Sequence, residues 1–145
     1  TVKWPDNNEL QETILKKDFT KTNITYFLMR EYERGLPGDP SDSSDMTIEH
    51  ILPQVIDGNH YWTSRFNDRQ HRLHLNLIGN LLPSTGNLNA RLSNKPYDQK
   101  RIIYAEESSF KTMRKIGNDE DEWIPASIEN RTKHIANWIL ERWSK

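Results

Sequence analysis

No cysteine occurs in the 145 residues, which excludes disulfides and every zinc site built on thiolates. No stretch approaches the ~20 apolar residues that a membrane span needs. The chain starts with Thr and shows no signal peptide. The expectation is therefore a cytoplasmic piece of a longer protein, in which the sequons at Asn23 and Asn130 are accidental. Apolar residues are also scarce, at 34%, with a mean hydropathy of −0.91. Five Trp and five Tyr offset that shortage, because aromatic side chains bury much area each. The length suits one domain.

An excess of charge is lacking overall, since the formal net charge is −1. That argues against a protein that coats nucleic acid in general. The distribution is uneven, however. Residues 1–59 carry 6 basic and 11 acidic side chains, a net of −5. Residues 60–101 carry 7 basic and 2 acidic, a net of +5, and residues 102–145 carry 7 and 8, a net of −1. A basic internal segment fits a phosphate-bearing partner, although a solvated face has the same composition.

The pattern of the chain predicts mostly helix. Helices are expected over 9–17 and 23–34, the second with Ile24, Phe27, Leu28 and Tyr32 at helical spacing and Gly35 as its stop. The Gly, Pro, Ser and Asp of 35–45 make a loop. "MTIEHILP" then reads as a short strand broken by Pro53. Residues 60–74 are expected to be helical, anchored by Tyr61, Trp62 and Phe66. "LNLIGNLLP", 75–83, reads as a second strand or extended turn, followed by helices over 84–94 and 97–108. An acidic loop is expected over 117–123. The last helix, 127–143, puts Ile128, Ile135, Trp138, Ile139 and Trp143 on one core-facing stripe.

The chemistry concentrates in "TIEHILPQ", where Glu49 and His50 are adjacent. Neighbours in a strand point to opposite faces, but at a strand end both can reach one site. Asn80 follows 30 residues later in "IGNLL" and Asn89 nine beyond it in "NLNAR". Phosphodiester hydrolysis needs a base for the attacking water, and a neutral histidine suits that role near neutral pH. It also needs a Lewis acid for the developing charge. Mg²⁺ keeps several waters, so a glutamate and an asparagine oxygen suffice to hold it. A basic flank, here including Arg72, Arg91 and Lys95, would hold the rest of the backbone.

"EHILP", "GNLL" and an Asn nine residues on resemble the HNH (His-Me finger) nuclease motif. Together with "WPDNNEL", "IGNLLPSTGNLN", "LSNKPYDQK" and "IIYAEES", they resemble the C-terminal nuclease domain of GmrSD-type, modification-dependent restriction enzymes and their phage-defence relatives, over nearly the whole chain. The resemblance implies an α+β fold, mainly helical around a small ββα-metal core. In that reading 1–46 are a helical preface, 47–105 the core and 106–145 C-terminal helices of one domain. It implies a metal-dependent DNA endonuclease of a restriction or antiviral system, with DNA and an N-terminal ParB-like NTPase domain as partners. Carried over residue by residue, His50 is the general base, Glu49 and Asn89 hold the cation, and Asn80 positions the His50 loop. Lys100 matches a lysine of the pattern and touches phosphate. Mg²⁺ is the expected ion, with Mn²⁺ able to substitute. Glu49 and Asn89 depart from the more common Asp and His, which disfavours nickel or zinc.

Other readings of the same residues stand beside these. Asn80 reads equally as a turn residue bonding the backbone, and Asn89 as a helix cap. His71 and His74 have i,i+3 spacing without a third ligand and read as surface or half-buried histidines. For the whole chain, the alternatives are a catalytically silent DNA-binding module of the same fold and an interaction domain that docks through its tryptophans.

Overall fold

A computed structural model of the protein describes residues 6–41 and 45–143. It is mainly helical, with one small antiparallel sheet, an α+β fold as the pattern predicts. The Asp6 carboxylate caps α1 (Asn7–Lys16) by accepting the N–H of Glu9 at 2.8 Å. A 3₁₀ turn at Phe19–Lys21 leads into α2 (Ile24–Gly35). Within α2 the core takes Leu28 and Met29, while Ile24 and Phe27 of the expected stripe stay about half exposed.

Strand β1 (Met46–His50) pairs with β2 (Leu81–Thr85), placing Glu49 opposite Leu82 and His50 opposite Leu81. The expected single helix over 60–74 is two: α3 (His60–Thr63) and α4 (Asp68–His74). The break is chemical. Asn67 and Gln70 form a reciprocal capping box, which starts a new helix and ends the old one. A 3₁₀ turn, Ile78–Asn80, occupies the middle of the stretch expected as the second strand or extended turn, and the strand begins only at Leu81. Helices α5 (Gly86–Leu92) and α6 (Tyr97–Glu107) follow β2, close to expectation.

Helix α7 (Lys111–Asp119) is absent from the sequence reading, which placed an acidic loop from 117 onward. Helix α8 (Pro125–Trp143) opens on proline, whose fixed φ suits a first helical turn. Its Ile128, Ile135 and Ile139 are buried, Trp138 is half-buried, and Trp143 departs from the expected stripe at 45% exposed. Trp62, Trp123, Tyr97, Tyr104 and Phe66 are fully buried and are the bulkiest apolar side chains of the core. No helix among the described residues is long and apolar enough to cross a membrane.

Candidate active site

The site forms where β1 ends. Ladder pairing stops at His50 and Leu81, and the chain turns through Ile51, Leu52 and Pro53, all buried. A turn buried in this way needs partners for its backbone. Asn80 supplies them. Its backbone oxygen accepts the N–H of Ile51 at 3.0 Å. Its side-chain Oδ1 accepts the N–H of Leu52 at 2.8 Å and Nε1–H of Trp123 at 3.0 Å. Its Nδ2 donates to the carbonyls of Leu52 at 3.0 Å and Leu75 at 2.8 Å. All four bonding positions of the amide are used, and the residue is fully buried. Asn80 therefore braces the loop and is closed to solvent. His71 adds a second brace from α4, with Nε2 2.8 Å from the carbonyl oxygen of Pro53.

Glu49, His50 and Asn89 line one open cleft, with Val55 on its rim. The Glu49 carboxylate is almost fully buried, and its Oε2 accepts from Tyr104 Oη at 2.7 Å and Lys100 Nζ at 3.0 Å. Oε1 has no donor among the described residues. Burial pushes the Glu49 carboxyl above its usual range, opposed by the Lys100 charge and the Tyr104 bond. Burial pushes the His50 imidazole below its usual value, opposed chiefly by its bond to Asn76. That bond joins Nε2 to Asn76 Oδ1 at 3.0 Å. Nδ1 has no partner among the described residues.

Thr85 Oγ1 caps α5 by accepting the N–H of Leu88 at 3.3 Å, which sets Asn89 over β1. Its Nδ2 donates to Thr47 Oγ1 at 3.0 Å and to the carbonyl of Ile48 at 2.9 Å. Its Oδ1 is buried with no hydrogen-bond partner, alone in this among the side-chain atoms of the described residues. An orphaned buried acceptor costs free energy unless something meets it. Glu49 and Asn89 line one cleft, and each has a side-chain oxygen without a hydrogen-bond partner among the described residues, a donor set that would fit a hard cation keeping its own waters. Among the described residues no three His, Asp or Glu side chains cluster for a metal, so a ligand-rich zinc-type centre does not fit.

The residues expected from the sequence to contact phosphate fall in different places. Arg72 is exposed on α4, and Lys95 is half-buried just after α5. Arg91 is exposed and 2.8 Å from Glu107. Lys100 corrects the reading made from sequence. Its ammonium is fully buried and spends its donors on Glu49 and on the carbonyls of His50 and Ile51. No donor is left for phosphate. Of the histidines, His74 is buried, 3.0 Å from Glu129, and His71 serves the loop, so neither gathers a metal set.

The sequence reading missed Tyr104, Trp123, Asn76 and Asp18. For Tyr104 a signal existed: it lies four residues after Lys100, on the same face of α6. Trp123 stood out as a lone aromatic in an acidic run. Nothing local marks Asn76 or Asp18.

The sequence model of one family, described as GmrSD restriction endonucleases, C-terminal domain, matches residues 4–138. The chain belongs to that family. No curated protein matches it.

Proposed function

We propose that the chain is the nuclease domain of a restriction system, an HNH-type, metal-dependent endonuclease that hydrolyses phosphodiester bonds in foreign DNA. The observation that carries this reading is the orphaned Asn89 Oδ1 on the cleft that also holds Glu49 and His50. A buried oxygen without a partner, on a residue that shares its cleft with an imidazole, supports a place for a cation there.

In this reading His50 takes the proton from the attacking water, and its lowered pKa keeps it neutral and ready near neutral pH. Glu49 and Asn89 would hold a divalent cation, Mg²⁺ by its preference for oxygen, with Mn²⁺ able to replace it. When bound, that ion supplies Lewis acidity for the charge on the phosphate and the leaving 3′ oxygen. Asn80 keeps the His50 loop in place. Arg72, Arg91 and Lys95 contact the DNA backbone, Arg91 by exchanging its exposed pair with Glu107, which is weak in water. The products carry 5′-phosphate and 3′-hydroxyl ends, and an N-terminal NTPase domain delivers the DNA.

One observation favours a second reading, a DNA-binding module of the same fold that does not cut. Lys100 already neutralises much of the charge on Glu49, which lowers the attraction for a cation.

Plasmid nicking with Mg²⁺ and then Mn²⁺, comparing wild type with His50→Ala and Asn89→Ala, separates the two. Cleavage that stops with chelator and falls roughly 10²–10⁴-fold in His50→Ala supports the nuclease. Undiminished cleavage in both variants would sink the assignment. Salt-dependent DNA binding with no cleavage under either ion, in the domain and in the full-length protein, would establish the silent module.

A further inference from the structure

We propose that Asp18 and Asn76 are positioning residues that fix the tautomer of His50, with the proton on Nε2 and the lone pair on Nδ1. Nδ1 is then the atom that takes the proton from water. The catalytic meaning rests on the nuclease reading above; the tautomer does not.

The argument starts at the far end of a short chain of bonds. Asp18 Oδ2 lies 3.2 Å from Asn76 Nδ2. An ionised carboxylate only accepts, so the Asn76 amide must turn its NH₂ toward it. That orientation leaves Asn76 Oδ1 facing His50 Nε2 at 3.0 Å. An amide oxygen also only accepts, so Nε2 must carry the hydrogen. A neutral imidazole has a single N–H, and the lone pair is therefore on Nδ1.

Asp18 is suited to direct this relay. Its Oδ1 accepts the N–H of Thr20 at 2.9 Å and the Thr20 hydroxyl at 2.5 Å. Burial works to raise its carboxyl, but these bonds and the one from Asn76 outweigh it and hold the group below its ordinary value. A second bond locks the two segments together, from the N–H of Phe19 to the carbonyl of Asn76 at 3.0 Å. Phe19 is buried, and its carbonyl accepts the hydroxyl of Thr25 from α2. The turn before α2 is thereby anchored in the core, while its aspartate acts on the histidine at the end of β1 through Asn76. The helical preface thus does more than cover the sheet.

The test reads the tautomer directly. The full chain is labelled with ¹⁵N in its histidines and held at a pH of about 8, where an imidazole of ordinary pKa ~6.5 is neutral. Long-range ¹⁵N–¹H correlation should show His50 with a pyrrole-like Nε2 and a pyridine-like Nδ1. A pyrrole-like Nδ1 would overturn the proposal. Asn76→Leu and Asp18→Ala should give a tautomer mixture, and kcat should fall roughly 10- to 100-fold with KM little changed, the range for outer partners of functional histidines. Asp18→Asn keeps the shape but has a single oxygen, which the two Thr20 donors hold; its NH₂ then faces Asn76, turns that amide over and should shift His50 toward the Nδ1–H form, an inversion that a loss of folding would not give. Variants that keep the pure Nε2–H form and wild-type kcat would overturn it as well. Should wild type show the Nε2–H form yet cut no DNA under either cation, in the domain and in the full-length protein, the nuclease reading falls and the relay stands.

Discussion

Lys100 Nζ sits 3.0 Å from Glu49 Oε2, the lysine fully buried and the glutamate almost so. The same ammonium donates to the carbonyl of His50 at 3.0 Å and of Ile51 at 3.1 Å. One cation therefore ties together the carboxylate, the histidine backbone and the first residue of the loop. Burial pushes the lysine down and the glutamate up, and each charge opposes the shift of the other. Because Lys100 and Tyr104 both take Oε2, the clamp also decides which carboxylate oxygen is left for the cleft.

A buried ion pair is most informative when one partner is removed. Lys100→Met is expected to destabilise the fold by about 3–5 kcal/mol, because it strands a buried carboxylate. Adding Glu49→Gln should recover a large part of that loss. Urea unfolding of the two single variants and the double variant measures the coupling. A loss under about 1 kcal/mol in Lys100→Met would show that the carboxylate was never uncompensated.

Glu33 performs a comparable task away from the site. Its carboxylate accepts the N–H groups of Lys111 and Thr112, each at 2.8 Å, and the Thr112 hydroxyl at 2.6 Å. Together with the Ser41 hydroxyl, these bonds outweigh burial and hold its carboxyl below the ordinary value. A depressed pKa adds stability that is present above the unfolded value of ~4.3 and lost as pH falls through the folded one. Glu33→Gln should cost about 1–3 kcal/mol at neutral pH. The gap to wild type should close as pH drops below about 4. A gap of constant size across that range would contradict the assignment.

That long-range cap explains why α7 was not legible. Its N-terminus carries no capping side chain of its own; the cap is Glu33, 78 positions earlier. The strand pair and the three residues on the cleft were legible, because turn chemistry and spacing mark them locally. The split between α3 and α4 was written in "NDRQ", where Asn67 and Gln70 have capping-box spacing, yet the aromatic run before it read as one helix. Lys100 was misplaced because a lysine in a basic segment looks solvated until Glu49 is found beneath it. The Asp18–Asn76 contact joins two segments 58 residues apart, and no local pattern points to it.

Asn80 should be more costly to lose than its size suggests. Asn80→Ala leaves the N–H and carbonyl of Leu52, the Leu75 carbonyl and the Trp123 indole without their partner. The expected loss is about 3–5 kcal/mol, since each stranded buried group carries its own penalty. Trp123→Phe strands only one acceptor position and should cost about 1–2 kcal/mol. Thermal unfolding ranks the two. Equal losses would mean that Asn80 acts through the indole alone.

Glycines on either side of β2 should respond in opposite directions to alanine. A Cβ on Gly79 would lie 2.3 Å from Thr132 Oγ1, 2.4 Å from the Ile128 carbonyl and 2.6 Å from the Thr132 nitrogen. Two of those atoms are α8 backbone, so the helix itself would have to withdraw. It would take with it Arg131, whose Nη1 donates to the carbonyls of Gly79 and Leu81 on either side of Asn80. Gly79→Ala should therefore cost about 3 kcal/mol or more, at the upper end for overpacking, and should loosen the His50 loop through Asn80. Gly86 opens α5, and its Cβ would meet only the Thr47 methyl at 3.9 Å, an ordinary contact. Gly86→Ala should raise stability by roughly 0.4–1 kcal/mol by restricting the unfolded chain. Melting temperatures of the two variants settle the matter. If Gly79→Ala melts with wild type, the 3₁₀ turn does not press on α8, and the route from that helix to the His50 loop is broken.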